Sequence, residues 1–146
     1  MRKVSIKGVL IGGFVDVATT TVLAIPLVIY AMAKFNLLHA PRGSVQVPIA
    51  LTIHASPLLY GGQLLIGLGG SVLGGYVAAW IARHDELLNG LLSSFLCTVI
   101  GVYSLVAGKV SGSMSEQILL LTVTPLFALL GGYLKRTQKR VAAQQA

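Results

Sequence analysis

Long stretches of apolar residues dominate this chain and alternate with short polar segments. Four of these stretches are long enough to cross a bilayer, since about 20 helical residues span a hydrocarbon core about 30 Å thick. They cover residues 8–33, 58–82, 87–107 and 114–134. The pattern therefore predicts an all-α fold, a four-helix transmembrane bundle, with residues 1–146 forming a single transmembrane domain.

The longest segment between predicted spans covers residues 35–57. Its residues 41–44, Pro-Arg-Gly-Ser, are typical of a turn. Residues 45–55 are too apolar for a freely solvated loop and too few to span the bilayer. They are expected to lie at the outer interface, or to pack over the mouth of the bundle as a short helix or strand. His39 and His54 make a poor metal signature, and we interpret them as solvated or interfacial.

Asp16 is an acidic residue inside the first predicted span. It lies about 12 Å along a helix from Gly8, which marks the expected membrane boundary. An ionised carboxylate near the helix centre costs about 2.5–3.5 kcal/mol on insertion scales, so Asp16 should face the bundle interior, water or a partner. Thr19 and Thr20 lie within about one turn and complete a candidate intramembrane polar site. A structural hydrogen bond and a proton or cation relay both fit this placement.

Proline residues lie inside the first and fourth predicted spans. Pro26 follows a run of three threonines, and Pro125 follows Thr122 and Thr124. Proline removes one backbone hydrogen bond and crowds the preceding turn, so each position predicts a helix kink. Neighbouring helices and threonine hydroxyls allow such prolines to persist in membranes.

The second predicted span carries small residues on two adjacent faces. Small residues allow helix backbones to approach closely, and packing rather than water exclusion drives helix association in lipid. We therefore expect this helix to be the central packing element, either within one chain or between chains. The two stripes share a four-residue spacing and consist of Gly67, Ser71, Gly75 and Ala79 on one face and Gly70, Gly74, Ala78 and Ala82 beside them.

A Leu-Gly-Gly-Tyr segment occurs at residues 73–76 and again at residues 130–133. Each copy lies near the end of a predicted span, and the two spans would cross the bilayer in the same direction. A tandem repeat of helix hairpins, related by an axis along the membrane normal, is one interpretation. Chance similarity is the other, because Gly and Leu are common in membrane spans.

Composition and charge agree with a membrane protein. Hydrophobic residues make up 55% of the chain, and the mean hydropathy is +0.82. The net charge of +7 comes from basic residues at helix ends rather than on one soluble face, which argues against a nucleic-acid partner. Eight would lie on one side of the bilayer, namely Arg2, Lys3, Lys7, Arg83, Lys135, Arg136, Lys139 and Arg140, and three on the other, namely Lys34, Arg42 and Lys109.

This uneven distribution predicts that both termini are cytoplasmic, because short cytoplasmic segments carry an excess of Lys and Arg. The basic tail at residues 135–140 is expected to contact anionic lipid headgroups, at about 1 kcal/mol per basic residue. The expected location is therefore the bacterial cytoplasmic membrane, as a multi-pass protein.

No pattern in the sequence points to an enzyme, a cofactor or a metal. The single cysteine, Cys97, cannot form an intrachain disulfide and is interpreted as a small buried apolar residue. His84, Asp85 and Glu86 are adjacent and point in different directions, so a solvated turn fits them better than metal ligation. The glycine run at residues 67–75 lies inside an apolar helix rather than after a strand, which excludes a dinucleotide-binding loop.

Short motifs mark the ends of the predicted spans. They are Lys7-Gly8 in the first span, Gly74-Gly75-Tyr76-Val77-Ala78-Ala79 and Ile81-Ala82-Arg83 in the second, Leu88-Asn89-Gly90 in the third and a glycine pair ending the fourth. Together these motifs resemble those of small bacterial four-helix integral membrane proteins of uncharacterised function. The resemblance covers the spans and not the loop at residues 35–57. It implies a four-helix architecture and no activity.

Two hypotheses for function follow from these features. The leading one is a non-enzymatic association module, either a homo-oligomer or an accessory subunit of another membrane protein, because the second span has two small-residue faces. The alternative is a small oligomeric transporter or channel in which Asp16 serves as an intramembrane proton or cation site.

Overall fold

The computed structural model describes residues 4–34, 46–107 and 113–145, of which 92% are helical and none lies in a strand. The helices are α1 (Ile6–Lys34), α2 (Gln46–Ala55), α3 (Pro57–Ala82), α4 (Glu86–Ser93), α5 (Phe95–Val106) and α6 (Met114–Gln144). Four segments are long and apolar enough to cross a membrane, namely α1, α3, α4 with α5, and α6. The predicted all-helical class and the four apolar helices of spanning length are confirmed.

The helix α6 is longer than the predicted fourth span. It has 31 residues and continues well past residue 134, to Gln144. At 1.5 Å per residue its length is about 46 Å, which exceeds the thickness of a hydrocarbon core by about 15 Å. The basic residues that follow the apolar part of α6 are therefore helical and extend beyond the core.

The start of α1, the turn between α3 and α4 and the last turns of α6 meet at one end of the bundle, called here the termini end. Asn89 is fully buried at this end. Its side-chain oxygen accepts a hydrogen bond from the backbone N–H of Ser5 at 2.8 Å, and its amide nitrogen donates to the carbonyl oxygens of His84 and Asp85 at 3.0 and 3.1 Å. Because the first N–H groups of a helix lack partners within it, Asn89 stabilises the entry to α1.

The short helix α2 packs over the opposite end of the bundle, called here the loop end. Tyr60 donates a hydrogen bond to the carboxylate of Glu116, and His54 Nδ1 lies 3.9 Å from Glu116 Oε1. The rings of His54 and Tyr60 are 5.0 Å apart. A small apolar cluster fixes α2 in place and consists of Ala31, Ile53 and Leu59. The segment after residue 45 is thus a helix, one of the two predicted conformations.

Several residues discussed from the sequence lie outside the described residues. They are the predicted turn at residues 41–44, His39, and the basic residues Arg2, Lys3, Arg42 and Lys109.

The buried residues of the spans concentrate in the half of the bundle nearer the termini end. In α1, Asp16 is the last buried residue before Ala31, and in α3 no residue between Leu59 and Gly70 is buried. Burial in α6 begins at Ala128. The structure describes every residue of α5, and none of them is buried. The helices therefore pack tightly on one side of the Asp16 level and loosely on the other.

Glycine and alanine residues account for the tight helix packing in the half of the bundle nearer the termini end. A Cβ atom added to Gly74 would lie 2.7 Å from the carbonyl oxygen of Gly12 on α1, and one added to Gly75 would meet the backbone of Ala128 on α6. One face of α3 thus packs on α1 and the other on α6. Of the predicted stripe residues, Gly67 has no such neighbour within 4 Å. The buried ones are Gly70, Ser71, Gly74, Gly75, Ala78, Ala79 and Ala82.

The third predicted span is interrupted at Ser94, which separates α4 from α5. The hydroxyls of Ser93 and Ser94 donate to the carbonyl oxygens of Gly90 and Leu91, at 2.6 and 2.8 Å. The backbone N–H of Ser94 also bonds three residues back, to Leu91, instead of four. Serine hydroxyls that bond the preceding turn compete with the regular helical pattern, which explains the break.

The helices α1 and α6 continue through Pro26 and Pro125, so the predicted kinks at these residues stay predictions. The two Leu-Gly-Gly-Tyr segments contact each other where α3 meets α6. A Cβ atom added to Gly131 would meet the carbonyl oxygen of Val72 and lie 2.7 Å from the backbone nitrogen of Tyr76. This contact is a packing contact, and the predicted tandem repeat also stays a prediction.

Candidate functional site

Asp16 is buried in the middle of the bundle, where only 2% of its surface is exposed. Ser71 on α3 donates its hydroxyl to both carboxylate oxygens, at 3.1 and 3.3 Å. The thiol of Cys97 on α5 donates at 3.2 Å, and the hydroxyl of Thr20, one turn along α1, donates at 3.5 Å. Three spanning segments therefore converge on one carboxyl group.

All of these donors are neutral. Neither of the two ion pairs found among the described residues includes Asp16, since they join His54 to Glu116 and Lys139 to Glu86. A carboxylate inside a bilayer is costly without a compensating charge, so such a group tends to hold a proton or a cation. Hydroxyl and thiol groups can rotate to donate or accept, which suits a carboxyl group that changes its protonation state.

The structure changes how the predicted polar residues are grouped. Thr20 lies in the site, whereas Thr19 is half-buried and is not among the hydrogen-bond partners found for Asp16. Ser71, predicted only as a packing residue, is the nearest donor. Cys97, interpreted as a small apolar residue, is half-buried and donates to the carboxyl group. The site therefore contains a hydroxyl and a thiol to which the sequence analysis assigned no polar role.

Two cavities in the loop-end half are each lined by one hydrogen-bond partner of Asp16, although Asp16 itself lines neither. A cavity of about 180 Å³ lies between α5 and α6 and reaches Cys97. A second, of about 230 Å³, lies between α3 and α6 and reaches Thr20. Both are bordered by the same stretch of α6, through Gln117, Leu120 and Thr124. Each cavity is therefore bordered by one side chain that donates to Asp16.

The larger of these two cavities has polar side chains among apolar lining residues, which are Leu64, Gly67, Leu68 and Leu120. Its loop-end mouth is formed by His54 and Tyr60, the two residues that contact Glu116. Gln63 and Gln117 follow, and Thr20 and Thr124 lie deeper. Polar side chains thus occur at several levels between the loop end and Thr20, with apolar residues between them. On the side of Asp16 nearer the termini end, glycine contacts hold α1 and α3 close together.

The described residues contain no group of three or more His, Cys, Asp and Glu side chains arranged to hold a metal ion. In the turn between α3 and α4, His84 is exposed and Glu86 binds Lys139 at 2.8 Å.

Comparison with known proteins finds no relative: no protein-family model, no curated protein and no solved structure matches the chain. The resemblance to small bacterial four-helix membrane proteins therefore stays a prediction.

Proposed function

We propose that this protein is a small membrane transporter or channel in which Asp16 binds a proton or a small cation. One observation carries the proposal: a buried carboxyl group is surrounded by neutral donors, and two of these donors, Thr20 and Cys97, each line a cavity. Acidic residues inside a bilayer are expensive and commonly mark ion or proton pathways. Burial of Asp16 for stability alone would not require cavities that are bordered by two of its hydrogen-bond partners.

The packing of α3 leaves little surface for an association module. Association through α3 needs more small-residue surface than the contacts within this chain use. Within this chain, the face with Gly74 packs on α1 and the face with Gly75 packs on α6. Little of the small-residue surface is left for a partner, so the site at Asp16 becomes the better guide to function.

The direction of access follows from charge. We infer that the termini end faces the cytoplasm of a bacterial cell, because basic residues concentrate at that end. The two cavities then lie on the outer side of Asp16, and the closely packed half separates Asp16 from the cytoplasm. In this arrangement Asp16 receives its proton or cation from outside, and release inward requires the tight half to open.

The direct test is proton flux in proteoliposomes loaded with a pH-sensitive dye, with a potassium diffusion potential as the driving force. Wild-type protein should acidify or alkalinise the vesicles faster than empty liposomes do. Asp16→Asn keeps the volume and a hydrogen-bond acceptor but cannot titrate, so it should fold and lose the flux. Replacing the potassium gradient with a sodium gradient distinguishes a cation from a proton.

A pair of threonine variants on α6 supplies a matched control. Thr124 borders both cavities, whereas the exposed Thr122 borders neither. Each hydroxyl donates to a carbonyl oxygen four residues back, so Val in either place removes a similar local bond. We expect Thr124→Val to slow the flux several-fold and Thr122→Val to leave it unchanged. Equal proton flux in wild type, Asp16→Asn and empty liposomes, together with equal sodium flux measured with a sodium-sensitive dye, would exclude this function.

A second candidate function, association with another copy or another membrane protein, has its own supporting observation. A groove of about 460 Å³ runs along one side of α1, and its lining includes Ala24, Ile25 and Val28. The neighbouring helix α5 has no buried residue and does not fill this groove. A helix from a second chain would bury apolar surface on both helices, and it could coexist with transport through Asp16.

A further inference from the structure

A third cavity, of about 430 Å³, lies between α4 and α6 at the termini end and takes no part in the Asp16 site. Its polar part is formed by Asp85, Glu86 and Arg136, and its apolar part includes Leu88, Leu91 and Leu129. It is therefore a groove with charges of both signs at one end and leucine side chains at the other.

The order of these residues along the helices matches the depth profile of a bilayer. Asp85 and Glu86 are at the start of α4, and Leu91 lies about 8 Å further along it. On α6, Leu129 lies about 10 Å from Arg136 in the direction of the span. The charged end of the groove thus lies at headgroup level, and the leucines begin where acyl chains begin.

The charges select among lipid headgroups. A guanidinium group such as that of Arg136 binds a phosphate through two parallel hydrogen bonds. Two carboxylates beside it favour an ammonium group, because their oxygens accept hydrogen bonds from its N–H groups. Glu86 already binds Lys139 at 2.8 Å, but a carboxylate has sites for about four hydrogen bonds. A primary ammonium group can donate to these oxygens, whereas a quaternary one has no N–H group.

We propose that this groove binds a phospholipid with a primary ammonium headgroup, of the phosphatidylethanolamine type. The phosphate contacts Arg136, the ammonium group contacts Asp85 and Glu86, and the first carbons of the acyl chains lie along Leu91 and Leu129. This inference is independent of transport, because it uses neither Asp16 nor the loop-end cavities.

Native mass spectrometry of the full-length protein, released from detergent micelles, tests the proposal. The protein is incubated with an equimolar mixture of phosphatidylethanolamine, phosphatidylcholine and phosphatidylglycerol that carry identical acyl chains. We expect the ethanolamine lipid to be retained about tenfold more than either other lipid, which corresponds to one charge-assisted hydrogen bond. Equal retention of all three lipids, or preferential retention of phosphatidylglycerol, would overturn the proposal.

Variants distinguish the proposed phosphate contact from the proposed ammonium contact. Arg136→Gln removes the phosphate contact and should reduce retention of every lipid, whereas Glu86→Gln should lower only the ratio of ethanolamine to choline lipid. Arg140→Gln is the matched control, because Arg140 lies one turn further along α6, is exposed and does not border the groove. The proposal fails if Arg140→Gln lowers retention as much as Arg136→Gln. Circular dichroism verifies that each variant is folded.

Discussion

The contact between α3 and α6 at Gly75 allows a quantitative test of the packing. In Gly75→Ala, the new Cβ atom would lie 2.7 Å from the carbonyl carbon and 2.9 Å from the Cα atom of Ala128. Carbon atoms attract each other best at about 3.5–4.0 Å, so the helices must separate by close to 1 Å. The obstacle is backbone, which cannot move aside as a flexible side chain can. Overpacking of this kind costs about 1–3 kcal/mol.

Helix propensity acts in the opposite direction. Replacing Gly by Ala inside a helix gains about 0.5–1 kcal/mol, because Gly loses more backbone freedom on folding. Gly69→Ala, on the same helix, is the matched control: Gly69 is exposed and a Cβ atom there would have no neighbour within 4 Å. The propensity gain cancels in the comparison. Gly75→Ala should therefore be less stable than Gly69→Ala by about 1–3 kcal/mol.

The measurement is unfolding of both variants and wild type in dodecyl maltoside micelles titrated with sodium dodecyl sulfate, followed by far-ultraviolet circular dichroism. We expect Gly69→Ala to unfold at or slightly above the wild-type midpoint and Gly75→Ala clearly below it. If the two variants unfold at the same midpoint, α3 and α6 do not approach closely at Gly75, and the close packing of the termini-end half is wrong.

Two further predictions concern topology and association. Reporter fusions after Gly43 and after Ala146 should give opposite compartment signals, and the proposed orientation predicts a cytoplasmic signal after Ala146. The same signal from both fusions contradicts the four-span topology, and an external signal after Ala146 contradicts the orientation. If the groove on α1 holds a second copy, Ala24→Cys in a Cys97→Ala background should form disulfide-linked dimers in oxidised membranes. Val22→Cys, an exposed position outside the groove, should stay monomeric, and equal cross-linking at both positions argues against this interface.

The sequence predicts the spans well because the length of an apolar run is a strong signal in a bilayer. It also singles out Asp16, since an acid among apolar residues is conspicuous. It predicts α3 as the central packing helix, but it does not distinguish contacts within one chain from contacts between chains. That distinction depends on which helices lie on either side of α3, and small-residue spacing carries no such information.

Other features depend on contacts between residues far apart in the chain. Cys97 donates to Asp16 across 81 positions of the sequence, and Ser5 donates to Asn89 across 84. A lone thiol in an apolar span, or an amide beside a turn, has no local pattern that identifies its partner. The break at Ser94 is different, because two adjacent serines inside a span are a visible signal for hydroxyl bonds to the preceding turn.

The position of α3 between α1 and α6 has a consequence for biogenesis. A ribosome releases α1 before α3 and α6 last, so the two faces of α3 meet their partners at different times. The contact of Gly74 with α1 can form once the first two spans are in the membrane. The face with Gly75 must wait until Ala128 has been synthesised and inserted. During that interval a glycine-lined helix surface faces lipid, open to any chaperone or insertase helix that can occupy it until α6 arrives.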